Sequence, residues 1–502
     1  MRSTFARHDG SRPEVRTRPG NRSRRGNRSW RGNRALLGNR VRRGIALSAV
    51  TSVLALAGPA SPALAQGGQA QPPQLDPSKT PASGPLKPEG AEQKQGCMAP
   101  NPGNSEIEQK PWSQLALGYE EAHEQGITGA GQKVAIIDTG VNPHPQLGSV
   151  DSSGGSAVPD GGANRDCDGH GTLVAGFVAA QGKPNTGFLG VAPDSQLMSI
   201  RQSSSLWQKP QNNKPIGDTE TMAQAIQYAV VHQADVINIS QSSCQQIAEA
   251  SKFGNEGNQR LHNAVENARK AGTVVVAAAG NVGECQQNNP GSPTNAVLPA
   301  WFDEDVLTVG SINQQGAPSQ FSVAGPWVDV AAPGEGLIGL DPGPKGTGLA
   351  SQIASGQQGQ PGPIQGTSFS APHVSGLVAL IKEKFEKEGK PLTAEQIMDR
   401  VEKTAIHPGG NNGRNDIVGY GPVDVMAALN DVVPSEHGQQ QEASHRRKLG
   451  AGAFPQRNWP ATVIAFGGAG TGIAAVVFTA FLVNAVRNIR ARRAGESPDD
   501  GS

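Results

Sequence analysis

The sequence predicts an α/β fold built on a parallel β-sheet with helices on both faces. Three observations predict it. From about Gln132, short apolar runs alternate with stretches of helical periodicity. The strand-like runs, KVAIIDTG, ADVINIS and TVVVAAAGN, are continuously apolar, as a sheet covered on both sides requires. The helix that starts near Ser368 is too apolar to stand alone, so it belongs to the same core.

Taken in order, KVAIIDTG reads as a strand whose apolar part, Val134 to Ile137, ends at Asp138. HGTLVAGFVAA and TMAQAIQYAVVHQ read as helices, ADVINIS as a strand, NQRLHNAVENARKAG as a helix and TVVVAAAGN as a strand ending at Asn281. The segment from Pro342 to Gly366, rich in Gly, Pro and Gln, reads as an insertion or lid. After it, Val374, Leu377, Val378, Ile381 and Phe385 recur at helical spacing, with Pro372 expected in the first turn, where its missing N–H does little harm. LTAEQIMDRVEKTA is a further helix, and the compact region is expected to end around Leu429.

The flanks have a different character. Residues 20–43 repeat a basic hexapeptide, GNRSRR GNRSWR GNRALL GNRVRR, which is too polar to bury a core, and disorder is expected there. An apolar run then follows Arg42 and Arg43 and closes at Ala63 and Ala65, the layout of a secretory signal peptide cut before Gln66. Residues 66–96 are Pro-, Gly- and Gln-rich and read as a linker, with order expected from near Cys97. The peptide chain of residues 97–432 holds the globular domain, and 433–460 is a polar tether. Residues 461–486 carry no charge and are long enough for one membrane-spanning helix. Arg487, Arg490, Arg492 and Arg493 follow it, so residues 487–502 are expected on the cytoplasmic side and the domain on the other. A lipid bilayer is thus one expected partner.

Formal charge over the 502 residues is +1, with the arginines concentrated at the N-terminus, so the folded part offers no basic surface for nucleic acid. Cys97, Cys167, Cys244 and Cys285 all lie between the two membrane signals, in the part facing an oxidising compartment. Two disulfides are expected, and three connectivities remain open. No CxxC pair and no HExxH motif occurs, and no loop is acidic enough for calcium, so neither metal nor cofactor is expected.

Reactive groups in a parallel sheet gather beyond the carboxyl ends of the strands. Asp138 ends one strand and precedes Thr139 and Gly140; an aspartic-protease reading of that tripeptide needs a second carboxylate in a like setting, and no second copy occurs. His170 lies in DGHGTLVAG between two glycines, which implies that something approaches closely. Asp166 and Asp168 are rival partners for it, and solvated loop turns are the plainer reading of both. Ser368 lies on the first turn of a helix, where unpaired N–H groups and the positive end of the dipole favour an oxyanion. Asn281 ends a strand, where its amide can donate to that same oxyanion.

Asp138, His170, Asn281 and Ser368, in that chain order, resemble the subtilisin-like serine proteases. The matching stretches are VAIIDTGVNPHPQL, DGHGTLVAG, GVAP, ADVINIS, VVVAAAGN, VDVAAPG and GTSFSAPHVSG, which span roughly residues 130–380. The resemblance implies Ser368 as nucleophile, His170 as general base and acid, Asp138 as its orienting carboxylate and Asn281 as oxyanion donor. Leu173 stands where many relatives have a second His, and Gln241, Ser242 and Ser243 where the general family has Leu-Gly-Gly. Signal peptide, cysteine-bearing extension, protease domain, tether and membrane helix together resemble the mycosins, membrane-anchored proteases of actinobacterial type VII secretion. That likeness implies pairing of Cys97 with Cys167 and of Cys244 with Cys285. It also implies a protein substrate of the secretion pathway and membrane components of the secretion complex as partners. The alternative it carries is a structural component whose proteolysis is dispensable.

Overall fold

Seven strands form the central sheet: β1 (Lys133–Asp138), β2 (Val150–Asp151), β3 (Gln196–Arg201), β4 (Val236–Ile239), β5 (Val274–Ala278), β6 (Val306–Ile312) and β7 (Val330–Pro333). Their spatial order is β7-β6-β5-β4-β1-β3-β2. Every pairing is parallel. The computed structural model describes residues 71–100, 107–354, 361–409, 413–437 and 482–487. The chain divides into two units, Met1–Gln66 and Gly67–Ser502, and all described residues belong to the second.

Parallel pairing explains why the strand sequences are apolar throughout. Along β1, Val134 and Ile136 enter one apolar cluster while Ala135 and Ile137 enter the other. β5 divides in the same way, with Val274, Val276 and Ala278 on one side and Val275 and Ala277 on the other. The first cluster is closed by helices α1 (His170–Ala179), α4 (Thr367–Lys387) and α5 (Ala394–Thr404). The second is closed by α2 (Thr219–Val231) and α3 (Glu256–Lys270). Each fully buried aliphatic side chain is worth about 1.5–3 kcal/mol, so removing either helical layer would leave a strand face that hydrogen bonds alone cannot sustain. The helix starts are specified locally: Asp218 with Thr221 and Thr393 with Gln396 form capping boxes.

Two flanking segments differ from expectation, and the internal segment 342–366 carries short strands. Residues 71–96 lack the apolar content to fold alone, yet they lie docked on the domain. Asn263 Nδ2 donates to the carbonyls of Asp76 and Lys79 at 2.7 and 2.8 Å, and Gln224 Nε2 donates to that of Gly84 at 2.9 Å. Leu86 is buried, and Glu92–Gln93 pairs antiparallel with Ser204–Gln208. Side-chain amides of the domain thus supply the partners that this polar backbone needs. Segment 342–366, expected as an insertion or lid, is tied down by two short hairpins, Gly339–Leu340 with Leu349–Ala350 and Gln352–Ala354 with Pro361–Pro363. Leu349, Ala350 and Ile364 are buried in the first cluster. Order also continues past Leu429 through Val425–Asn430 and Pro434–His437, because Arg400 Nε binds the Glu436 carboxylate at 2.6 Å.

The basic repeat and signal segment, residues 1–65, lie outside the described residues, as do 438–460 and 488–502. Of the expected membrane segment only 482–486 is described; residues 482–487 are helical, with Leu482, Val483 and Val486 exposed. No helix among the described residues is long and apolar enough to cross a membrane.

Candidate active site

The last residue of β1 and the first of α1 meet. His170 Nδ1 lies 2.7 Å from Asp138 Oδ1, and the Thr139 N–H donates to the same oxygen at 2.7 Å. Asp138 is fully buried and its Oδ2 has no partner. Such closeness depends on Gly171, where a Cβ would lie 2.1 Å from the Gly140 carbonyl and 3.1 Å from the Asp138 Cβ. What approaches closely at this glycine is therefore the chain itself.

Asp166 is a correction to the sequence reading. Rather than a solvated turn residue it is fully buried, accepting from Thr139 Oγ1, Gly169 N, Thr172 N and Thr172 Oγ1 at 2.7–2.8 Å. It braces the loop before α1 against the turn after β1. Burial pushes its carboxyl up to about 6, against the pull of the Thr172 and Thr139 hydrogen bonds. Asp168 accepts from Ser204 Oγ and from Ser205 N and Oγ. Neither carboxylate takes a hydrogen bond from His170.

The His170 side chain is 24% exposed. Burial opposes its charge, but the Asp138 charge and hydrogen bond, joined by Asp166 and Glu284, outweigh it and push the imidazole up to about 9.

Gly366 is the N-cap of α4, with φ of 148°, which a side chain would strain, whereas a Cβ there would meet nothing nearer than the Asn281 amide at 3.7 Å. Backbone shape, more than space, requires glycine. Thr367 begins the helix, so Ser368 is its second residue, buried at 8% exposure, with a backbone N–H that no helical carbonyl can accept. Pro372 falls beyond the first turn, contrary to expectation, and its missing N–H deprives the Ser368 carbonyl of its helical donor. Ser240, immediately after β4, replaces it: Ser240 Oγ donates to that carbonyl at 2.7 Å. Asn238 Nδ2 donates to Ser240 Oγ at 2.9 Å, and Asn238 Oδ1 accepts from Ser375 Oγ at 2.8 Å. This buried chain of hydroxyls and amide fastens α4 to the sheet below the nucleophile candidate.

Asn281 Oδ1 accepts from Thr367 N and Oγ1 at 2.9 and 3.0 Å. With the oxygen so committed, Nδ2 is left as a donor beside the start of α4. The His170 ring packs on Phe369 with centroids 5.1 Å apart, so the imidazole lies against the residue next to Ser368. No hydrogen bond joins His170 Nε2 to Ser368 Oγ. Hydrogen bonds between a nucleophile and its base are commonly long or absent when no substrate is bound.

Two disulfides stand beside these segments. Cys97–Cys167 ties the docked extension to the loop before His170, and Cys244–Cys285 joins the strand Ser243–Gln246 to the loop after Asn281. Asp160 lies near the first pair, but sulfurs bonded to each other offer no thiolate to a metal.

An imidazole held by a carboxylate where β1 meets α1, a serine on a helix start and an amide beside that start define a subtilisin-like serine endopeptidase, and the subtilase family model matches residues 129–421. Mycosin-4 of Mycobacterium tuberculosis is 43% identical over 389 residues, covering 74% of this chain and 81% of that one. A solved structure of the serine protease MycP1, an essential component of the type VII (ESX-1) secretion system, superposes with a TM-score of 0.62 at 36% identity, covering 72% of this chain and 100% of that one. A chain in an intact ESX-5 inner membrane complex gives 0.64 at 33% identity over 83% of this chain and 100% of that one. The chain belongs to the mycosins, within the subtilase family.

The sequence reading missed Ser240, Asn238 and Ser375. A signal for Asn238 and Ser240 was present, polar residues at alternate positions in the otherwise apolar ADVINIS, at the end where reactive groups gather; Ser375 lies in α4, outside that stretch.

Proposed function

We propose that this chain is a membrane-anchored endopeptidase of a type VII secretion system that acts outside the cytoplasm through an acyl-enzyme on Ser368. In this reading residues 1–65 direct export, 461–486 anchor the protein, and residues 97–432, with the docked extension, present the site. The observation that carries the chemistry is the 2.7 Å contact of His170 Nδ1 with Asp138 Oδ1, on an imidazole packed against Phe369.

Asp138 holds the Nδ1–H tautomer, which leaves Nε2 to take the proton as Ser368 Oγ attacks a peptide carbonyl. The oxyanion is met by the Ser368 N–H and by Asn281 Nδ2 at the positive end of α4. The imidazolium then protonates the departing amine, and water, activated by the same imidazole, releases the acyl group. The base must be neutral, so activity should climb with pH toward about 9.

Labelling of the full-length chain in membranes with a fluorophosphonate tests this. Modification at Ser368 that His170→Ala abolishes supports an assembled site; no labelling, or labelling indifferent to His170, overturns it.

The resemblance to a chain within the ESX-5 inner membrane complex favours a second reading, in which the domain stabilises the secretion complex. Secretion that survives Ser368→Ala but fails on deletion of the protein supports that role; equal loss in both supports proteolysis.

A further inference from the structure

Gln241 follows Ser240, and its side-chain Nε2 lies 3.4 Å from Asp138 Oδ1 and 3.4 Å from His170 Nδ1. We propose that Gln241 is a positioning residue of the Asp138–His170 pair, donating to the carboxylate oxygen that holds the imidazole and so limiting how tightly that carboxylate retains the imidazolium. This rests on the reading of His170 as the base for Ser368.

The orientation of the amide follows from chemistry. Its oxygen, turned toward Asp138, would set acceptor against acceptor, so the nitrogen faces the carboxylate. Oδ1 then receives three donors, from His170, Thr139 and Gln241, while Oδ2, buried without a partner, receives none. The donors compete for one oxygen. Each withdraws some of the negative charge that would otherwise stabilise the protonated ring.

The charged groups that act on His170 are Asp138, Asp166 and Glu284, and all three favour its protonation. Within that field, a neutral donor on the carboxylate works in the opposite direction. It helps because a base protonated at the working pH cannot take the Ser368 proton.

The position of Gln241 is braced on both sides. Ser240 is held to Ser368 and Asn238. Ser243–Gln246 pairs with Asn295–Leu298 and carries the Cys244–Cys285 bridge. The amide is therefore delivered by a fixed backbone.

The test follows the His170 imidazole by NMR titration in a Ser368→Ala background, which reads the proton without needing activity. Gln241→Leu keeps most of the volume and removes the donor, and the His170 midpoint should rise by about half a pH unit. Gln241→Glu sets a second carboxylate beside the ring, and the midpoint should rise by more than about one unit. With Ser368 restored, the pH dependence of fluorophosphonate labelling should move in parallel. A midpoint that stays put or falls in Gln241→Leu overturns the proposal. Midpoints that rise as expected in a protein whose Ser368 cannot be labelled uphold the positioning role and sink the catalytic reading.

Discussion

Ser240 touches no substrate in the proposed mechanism, yet the platform of the nucleophile depends on it. Proline at 372 frees a carbonyl of the very residue whose hydroxyl should attack, and a buried carbonyl without a donor costs about 1–3 kcal/mol. Ser240→Ala should therefore lower stability by about that amount in urea unfolding, whereas Ser240→Thr, which retains a hydroxyl, should recover part of it. Asn281→Ala should act differently. Its amide is placed for charge that develops only in the transition state, so kcat should fall by about 100–1000-fold with KM little changed in steady-state kinetics. The positions of Asp138, His170 and Ser368 at a strand end or a helix start were legible in the sequence because each falls within a distinctive stretch, whereas Asn281, expected at a strand end, lies in the loop after β5. The roles of Ser240 and Gln241 were not legible, because their partners are spatial neighbours: for one the Ser368 carbonyl freed by a proline 132 positions downstream, for the other a carboxylate at the end of the adjacent strand β1.

At the level of elements, the strands of the sheet were legible because burial on both faces makes their sequences largely apolar, with Asn238 of β4 an exception. The docked segment 71–96 and the hairpins after Gly339 were not, since their hydrogen bonds go to distant side chains and short pairings that composition does not encode. Helix α4 also hides a titratable group. His373 is buried, with Nδ1 against the Phe369 carbonyl at 2.8 Å, and burial lowers its pKa to about 4 in spite of that bond. A ring that stays neutral when folded and charges near 6.5 when unfolded stabilises the fold fully above pH 6.5. That contribution, about 3 kcal/mol, is lost as pH falls from 6.5 to about 4. Calorimetry should accordingly show a smaller drop in Tm between pH 6.5 and 4 for His373→Gln than for the unaltered chain.

Across the whole molecule, the two bridges fall where loops carry the candidate residues, and the Cys97–Cys167 pair closes a sequence separation of 70 residues. In the chain-entropy account a closure of that size is worth about 4 kcal/mol. Replacing both cysteines by serine should reduce unfolding free energy by about that amount and should free residues 71–96 to exchange amide hydrogens faster than the sheet. Because the sulfur bridge makes a covalent ring of everything from Cys97 to Cys167, a protease nick inside that ring would create a two-chain molecule that still travels as one. The extension would remain attached beside His170 after its peptide link was gone, and only a reducing gel would reveal the scission.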